Sequence, residues 1–205
     1  MPPAPLRSAD LLATFRGDLD RIQRGVIEGW RAHTDATLSA RPAPRAWSAI
    51  DCIEHVGRAN SIYLRHIDSA IERAGKRRPP VATFHPGAVG ELMFRTLKPK
   101  PAVRPDGDTR QVRTKMPTLG SFDPTKDAVP PDPTETLELF GRQLEQMNAV
   151  AERMERVDLH LRTKTLLGPL LQLRIGDVLR YLVAHTDRHI VQAERAIDRA
   201  HSHTS

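Results

Sequence analysis

The chain has 205 residues, of which 39% are hydrophobic and 4% aromatic, with one cysteine and a formal net charge of +6. This length suffices for one compact domain with an aliphatic core, and we expect a single domain over residues 1–205. The lone Cys52 excludes an intrachain disulfide framework and a four-cysteine zinc site.

The first five residues contain three prolines and no apolar segment of the signal-peptide type. No apolar run approaches the ~18–20 residues that a membrane-spanning helix needs. We therefore expect a cytoplasmic protein that has no membrane partner.

Amphipathic periodicity predicts four long helices, at about residues 8–38, 48–75, 132–157 and 173–200. In the first, apolar residues recur at steps of three and four between Leu11 and Trp30. Prolines at positions 42 and 44 cannot continue this helix. The link to the second helix is short, so we expect the first two helices to be antiparallel neighbours.

The second and third helices have clear starts. Ser48 precedes Asp51 by three residues, which is a capping pattern. Asp132 is the expected N-cap of the third helix, with Pro133 at its first position and Glu135 completing the cap. Gly168-Pro169 breaks residues 158–172, which we interpret as an irregular connection.

The segment from Lys76 to Lys126 is rich in proline and carries eleven Lys and Arg against four Asp and Glu. One short helix is predicted in it, from Ala88 to Leu97. We favour a solvated surface loop, because aromatic residues do not interleave with the charges as nucleic-acid binding requires. The alternatives are a lid or a segment that attracts an anionic substrate, and nucleic-acid binding is the weakest of them.

Four long helices without strand-like alternation predict an all-α fold, a four-helix bundle. The long Pro-rich basic loop between the second and third helices can cross the bundle and leave these two helices parallel. Wide apolar stripes on the helices favour a homodimer.

Two histidines in the fourth helical run, His185 and His189, are four residues apart and therefore share one helical face. His55 falls on the apolar stripe of the second helix, near its start. Three inward histidines suit Zn²⁺, Ni²⁺ or another divalent ion, and they leave an open coordination position. The alternative is a chance pair of helical histidines plus one buried, hydrogen-bonded histidine.

Two segments resemble elements of the DinB-like superfamily, the damage-inducible DinB family. Trp47-Ser48 followed by His55 resembles its W-S-x-x-x-x-x-x-H element, and His185 to Gln192 resembles its H-x-x-x-H-x-x-Q element. Residues 112–117 and 122–124 are similar to the loop that precedes the third helix in some members.

The resemblance implies an up-down-down-up bundle that holds a divalent metal on His55, His185 and His189. It also implies a metal-dependent hydrolase or a transferase of low-molecular-weight thiols, acting on a small and possibly anionic or thiol-containing substrate. A non-catalytic metal-binding or stress-associated interaction protein is the alternative. The sequence identifies no catalytic residue and no other cofactor.

Other polar residues near these motifs are weaker candidates. Gln192 is a candidate hydrogen-bond partner near the metal, and so are Asp187 and Glu54. For Arg188 we expect a surface ion pair. For Cys52 a place in the core is expected, although a thiolate ligand is conceivable.

Overall fold

The computed structural model describes residues 3–44, 46–101, 110–111, 120–166 and 168–202. Most of these residues are helical, which confirms the all-α class. No helix in this part of the chain has the length and apolar character needed to cross a membrane. The helices are α1 Ser8–Ile22, α2 Asp35–Ser39, α3 Ala49–Ala74, α4 Ala88–Leu97, α5 Pro133–Met154 and α6 Ile175–Ser202.

The predicted spans of α3, α5 and α6 agree with the structure to within three residues at each end, and the short helix α4 has the predicted bounds. The first helix was predicted wrongly, as one span over residues 8–38. Its α-helical part ends at Ile22, and a π-helical stretch, Gln23–Glu28, and a 3₁₀ turn, Gly29–Ala32, follow. Two glycines in this stretch weaken the α-helix, and Thr34 caps the separate helix α2.

Short strands also occur, although the sequence has no strand-like alternation. They form three antiparallel pairs: β1 Leu6–Arg7 with β2 Thr83–Phe84, β3 Lys100–Pro101 with β4 Arg110–Gln111, and β5 Arg162–Thr165 with β6 Gly168–Arg174. The last pair replaces the irregular connection expected over residues 158–172. In its first strand the alternate buried residues are threonines, Thr163 and Thr165. Because threonine is not hydrophobic, the sequence showed no alternation of apolar and polar residues there.

The four long helices pack so that α1 and α3 each contact both α5 and α6. Helices α1 and α3 therefore lie at opposite corners of the bundle, and the prediction that they are neighbours was wrong. The chain between His33 and Ser48 includes α2 and is long enough to carry the backbone across the bundle.

Side-chain contacts establish the relative directions of the helices. Helix α3 runs parallel to α5, as shown by the contacts Gly57–Gln143 and Asp68–Arg153. It runs antiparallel to α6, as shown by the contacts His55–His185 and Tyr63–Tyr181. Helix α1 and the π-helical stretch after it run antiparallel to α5, as shown by the Arg16–Glu155 ion pair and by the Ile27 side chain, which lies beside Gly141. These are the relative directions of an up-down-down-up order.

The N-terminus of α3 is firmly held. Ser48 Oγ accepts a hydrogen bond from the Asp51 amide, and the Asp51 carboxylate accepts one from the Ser48 amide. Arg41 donates two further hydrogen bonds to the same carboxylate, at 2.8 and 3.2 Å. The Asp51 side chain is 1% exposed, so it joins the α3 cap to the preceding linker inside the fold.

Replacing Asp51 with Ala removes the reciprocal cap and both hydrogen bonds from Arg41. We expect the free energy of unfolding to fall by about 2 kcal/mol, measured by urea denaturation. Asp20→Ala, at an exposed position of α1, is the control and should change it little. Equal stability of Asp51→Ala and wild type would contradict this role.

Candidate metal centre

Helices α3 and α6 bring together the three histidines singled out in the sequence. His185 and His189 lie one turn apart on α6, and His55 faces them from the second turn of α3. The three ring centroids are 4.6–5.2 Å apart, and one nitrogen from each ring lies within 4.8 Å of the other two. Each residue is only 7–8% exposed, so the cluster is buried.

The closest pair of nitrogens, His55 Nε2 and His185 Nε2, are 3.3 Å apart. A tetrahedral ion with bonds of ~2.0–2.1 Å to imidazole holds adjacent ligand nitrogens roughly 3.3–3.4 Å apart. These two nitrogens therefore already have the spacing of adjacent ligands to one ion.

A backbone carbonyl determines which nitrogen of His55 is available. His55 Nδ1 lies 2.7 Å from the Phe122 carbonyl oxygen, and a carbonyl can only accept. The proton therefore resides on Nδ1, and the lone pair of Nε2 points toward His185. A carbonyl behind a ligand histidine orients the ring and makes the free nitrogen a better ligand.

Phe122 belongs to a segment that crosses the histidine cluster, residues 120–127, which we call the strap. Asp123 in the strap accepts a hydrogen bond of 3.1 Å from Trp47 Nε1. The Trp47 ring in turn lies 4.7 Å from the His55 ring and 5.7 Å from the His189 ring. Trp47 thus packs on two of the three histidines and connects them to the strap.

The strap is also held by an ion pair with α3. Arg58 pairs with Asp127 in the strap and, at 2.8 Å, with Glu54 one turn earlier in α3. Glu54 therefore orients Arg58, and the prediction that it is a partner of the metal ligands was wrong. Residues 112–117, part of the loop that carried the resemblance, lie outside the described residues.

Tyr181 forms another wall of the cluster. Its ring stacks on His185, with centroids 5.4 Å apart and an interplanar angle of 9°. It also contacts Tyr63 on α3, at 5.1 Å. Burial raises the pKa values of both phenols, so both hydroxyls are protonated at neutral pH.

Burial lowers the pKa of all three imidazoles. For His185 the pKa falls to about 3, chiefly through desolvation and then through the charges of His55 and Arg188. The His189 pKa also lies well below the ordinary value, while the nearby Gln192 side chain acts in the opposite direction. Desolvation lowers the His55 pKa, against the opposing effect of the Phe122 carbonyl. The three rings are therefore neutral at pH 7, the state that binds metals.

Two ring nitrogens in the cluster have no partner in the described part of the chain, and the donor set decides whether a cation fits. His185 Nδ1 and His189 Nδ1 are buried, and neither has a hydrogen-bond partner among the described residues. Buried polar atoms are rarely left unsatisfied. An ion on His185 Nε2, the nitrogen that faces His55, would leave its Nδ1 uncoordinated. The fit of a divalent ion therefore depends on the donor set, three neutral imidazoles whose ligand nitrogens lie within 4.8 Å of one another.

Two further charged residues differ from their predicted roles. Asp187 pairs with Arg21 of α1 at 2.9 Å, so its carboxylate faces away from the cluster. Arg188 is buried, where a surface ion pair was expected. Desolvation lowers its pKa, and its charge adds positive potential beside His185 and His189.

The remaining candidates are structural. Cys52 is fully buried in the core, and burial raises the pKa of its thiol, which disfavours a thiolate ligand. His66 Nδ1 lies 3.2 Å from the Lys164 carbonyl oxygen. His160 is held between the Asp158 carboxylate, at 2.7 Å, and the His85 amide, at 2.9 Å.

Fold and site together define a helical-bundle protein with a buried three-histidine group suited to a metal ion. The family model for the DinB superfamily matches residues 18–193, and the chain belongs to this superfamily. No curated protein and no solved structure gives a significant match.

The lowered imidazole pKa values predict how the stability of the metal-free protein depends on pH. Unfolded histidines take up protons near pH 6.5, whereas the folded rings resist protonation to lower pH. The free energy of unfolding should therefore fall as the pH drops below about 6.5, by up to ~1.4 kcal/mol per pH unit for each histidine. Urea denaturation in the presence of a chelator at pH 7, 6 and 5 measures this.

The matched variants are His189→Gln, which should show a shallower fall, and His201→Ala at an exposed position, which should behave as wild type. If the free energy of unfolding of His189→Gln falls with pH as steeply as that of wild type, burial of this ring does not govern the pH dependence.

Proposed function

We propose that this protein is a divalent-metal-dependent enzyme that acts on a small substrate, either as a hydrolase or as a transferase of low-molecular-weight thiols. Zn²⁺ or Ni²⁺ is the proposed ion. The observation that carries the proposal is the cluster of His55, His185 and His189, with ligand nitrogens within 4.8 Å of one another.

The number and type of ligands support a catalytic ion. Closed structural zinc sites usually have four protein ligands, and catalytic sites have three and keep a position for water or substrate. An ion bound here supplies a Lewis acid that can polarise a substrate and lower the pKa of a water or thiol.

The surroundings of the cluster support an anionic substrate. Arg188 places a buried positive charge beside two of the histidines. Positive potential in a confined site raises the local concentration of anions. Trp47 and Tyr181 supply rigid apolar walls that exclude water from the rings they cover.

A non-catalytic metal-binding protein is the second candidate. The strap favours it, because it crosses the cluster and is held by Phe122, Asp123 and Asp127. In that case the ion would stabilise the bundle, and its remaining coordination position would be closed to added ligands.

Removing a ligand histidine should remove the metal. We expect about one divalent ion per wild-type chain after dialysis and a loss of ~10-fold or more in metal affinity for His189→Ala, since two imidazoles hold an ion less well than three. His201→Ala is the control and should retain the metal. Elemental analysis measures the metal content, and equal retention in all three proteins would contradict the assignment.

The second experiment distinguishes an open site from a closed one. We expect the visible spectrum of the Co²⁺-loaded protein to change in a saturable way when a low-molecular-weight thiol such as cysteine is added, because an open position can accept a thiolate. Such a change would mean that the strap, which Phe122 and Asp123 hold in place, leaves the ion accessible to added ligands. An unchanged spectrum, with Co²⁺ still bound, would favour the non-catalytic candidate.

A further inference from the structure

The strap, residues 120–127, is held on the bundle mainly by polar contacts. Of its eight residues Pro124 is buried, Phe122 and Asp123 are half-buried, and the others are exposed. Its backbone–backbone hydrogen bonds close turns within the strap itself. A segment with so few buried contacts has a low free energy of local opening, so a small change in its contacts shifts it between docked and undocked states.

Three polar contacts connect the strap to the bundle in the described part of the chain, and all three reach the region around the start of α3. They join the Phe122 carbonyl to His55 Nδ1 at 2.7 Å, the Asp123 carboxylate to Trp47 Nε1 at 3.1 Å, and the Asp127 carboxylate to Arg58. The contacts of Trp47 and Arg58 therefore flank the one made by His55. Together they decide whether the Phe122 carbonyl stays in place.

The hydrogen bond on His55 and a metal bond to the same ring strengthen one another. The carbonyl that accepts from Nδ1–H makes Nε2 a better ligand. An ion on Nε2 draws electron density from the ring, so Nδ1–H becomes a stronger donor to the carbonyl. The effect is reciprocal by thermodynamic necessity, because whatever the docked strap adds to metal affinity, the bound ion adds to docking of the strap.

Trp47 extends this effect from α3 to α6. Its ring centroid lies 4.7 Å from that of His55 on α3 and 5.7 Å from that of His189 on α6, while its Nε1 donates to Asp123 of the strap. A docked strap therefore fixes a ring that packs on ligand residues from both helices.

We propose that docking of the strap and binding of the metal ion are coupled, and that Arg58 and Trp47 are positioning residues for an ion that neither of them ligates. The strap docks tightly when the site is loaded and opens more readily when the ion is removed. This inference rests on the metal site of the proposed function and adds its regulation, because contacts outside the ligand set determine how firmly the ion is held.

Arg58 offers a test in which coupling and simple electrostatics predict opposite results. Desolvation is the main cause of the lowered His55 pKa, and the positive charge of Arg58 lowers it further. The same charge repels a cation on His55, so its removal by itself tightens metal binding. Its removal also releases Asp127 and loosens the strap, so coupling predicts weaker metal binding.

The experiment titrates the full-length protein with Zn²⁺ in competition with a chromophoric chelator. We expect Arg58→Met to bind Zn²⁺ ~5-fold more weakly than wild type, at the lower end of coupling between two sites. Arg65→Met removes a cation from an exposed position farther along α3 and should bind Zn²⁺ as wild type does. An affinity of Arg58→Met that equals or exceeds that of wild type would overturn the proposal.

Hydrogen exchange provides a second readout, which reports on the strap directly. The Asp123, Lys126 and Asp127 amides donate to carbonyls within the strap, and we expect them to exchange ~5-fold more slowly when wild type binds Zn²⁺. His189→Ala, at a Zn²⁺ concentration that it does not bind, should show no such change. Identical exchange of these amides in Zn²⁺-bound and Zn²⁺-free wild type would also overturn the coupling.

Circular dichroism checks that each variant is folded. If Arg58→Met is unfolded, Trp47→Phe decides the question, because it removes the hydrogen bond to Asp123, keeps an aromatic ring beside the histidines and changes no charge. It should bind Zn²⁺ ~3-fold more weakly than wild type, and equal affinity would overturn the proposal. A wild-type protein that does not bind Zn²⁺ would overturn this proposal together with the proposed function, whereas tight Zn²⁺ binding that is insensitive to the strap would overturn this one alone.

Discussion

The hydrogen bond from His55 Nδ1 to the Phe122 carbonyl, 2.7 Å long, joins helix α3 to the strap. It fixes the tautomer of His55, and hence the direction of the Nε2 lone pair toward His185. The Trp47–Asp123 and Arg58–Asp127 contacts hold the strap in place, so the carbonyl stays where His55 needs it. This hydrogen bond therefore decides which nitrogen of His55 faces His185.

Desolvation is the largest influence on these imidazoles, and it exceeds the hydrogen bonds that oppose it. The chain therefore maintains three neutral rings in an apolar pocket, an arrangement that is unfavourable at acid pH and favourable for binding a cation. Aromatic packing offsets the unfavourable burial of these polar rings, because Trp47 covers two of them and Tyr181 stacks on the third. The same features that lower stability on acidification prepare the nitrogens as ligands.

Helix α6 borders both the histidine cluster and a cavity of about 330 Å³ between α1, α4 and α6. One face presents His185 and His189 to α3, and the opposite face closes the cavity beneath α1 and α4. The close approach of α4 to α6 depends on Gly90, where an added Cβ would lie 2.4 Å from Asp177 Cγ. The cavity and the histidine cluster share no side chain.

The sequence alone determined the helical class, the spans of α3, α4, α5 and α6, and the three histidines. These properties depend on periodicity and spacing within one segment, and i,i+4 geometry places His185 and His189 together in any helix. Only the tertiary structure decided the π-helical stretch after Ile22, the β5–β6 hairpin, the diagonal placement of α1 and α3, and the walls of the site. Phe122 acts through a backbone carbonyl that every residue type possesses, and Tyr181 acts through a contact between distant helices. Neither leaves a local pattern in the sequence, because long-range packing selects them.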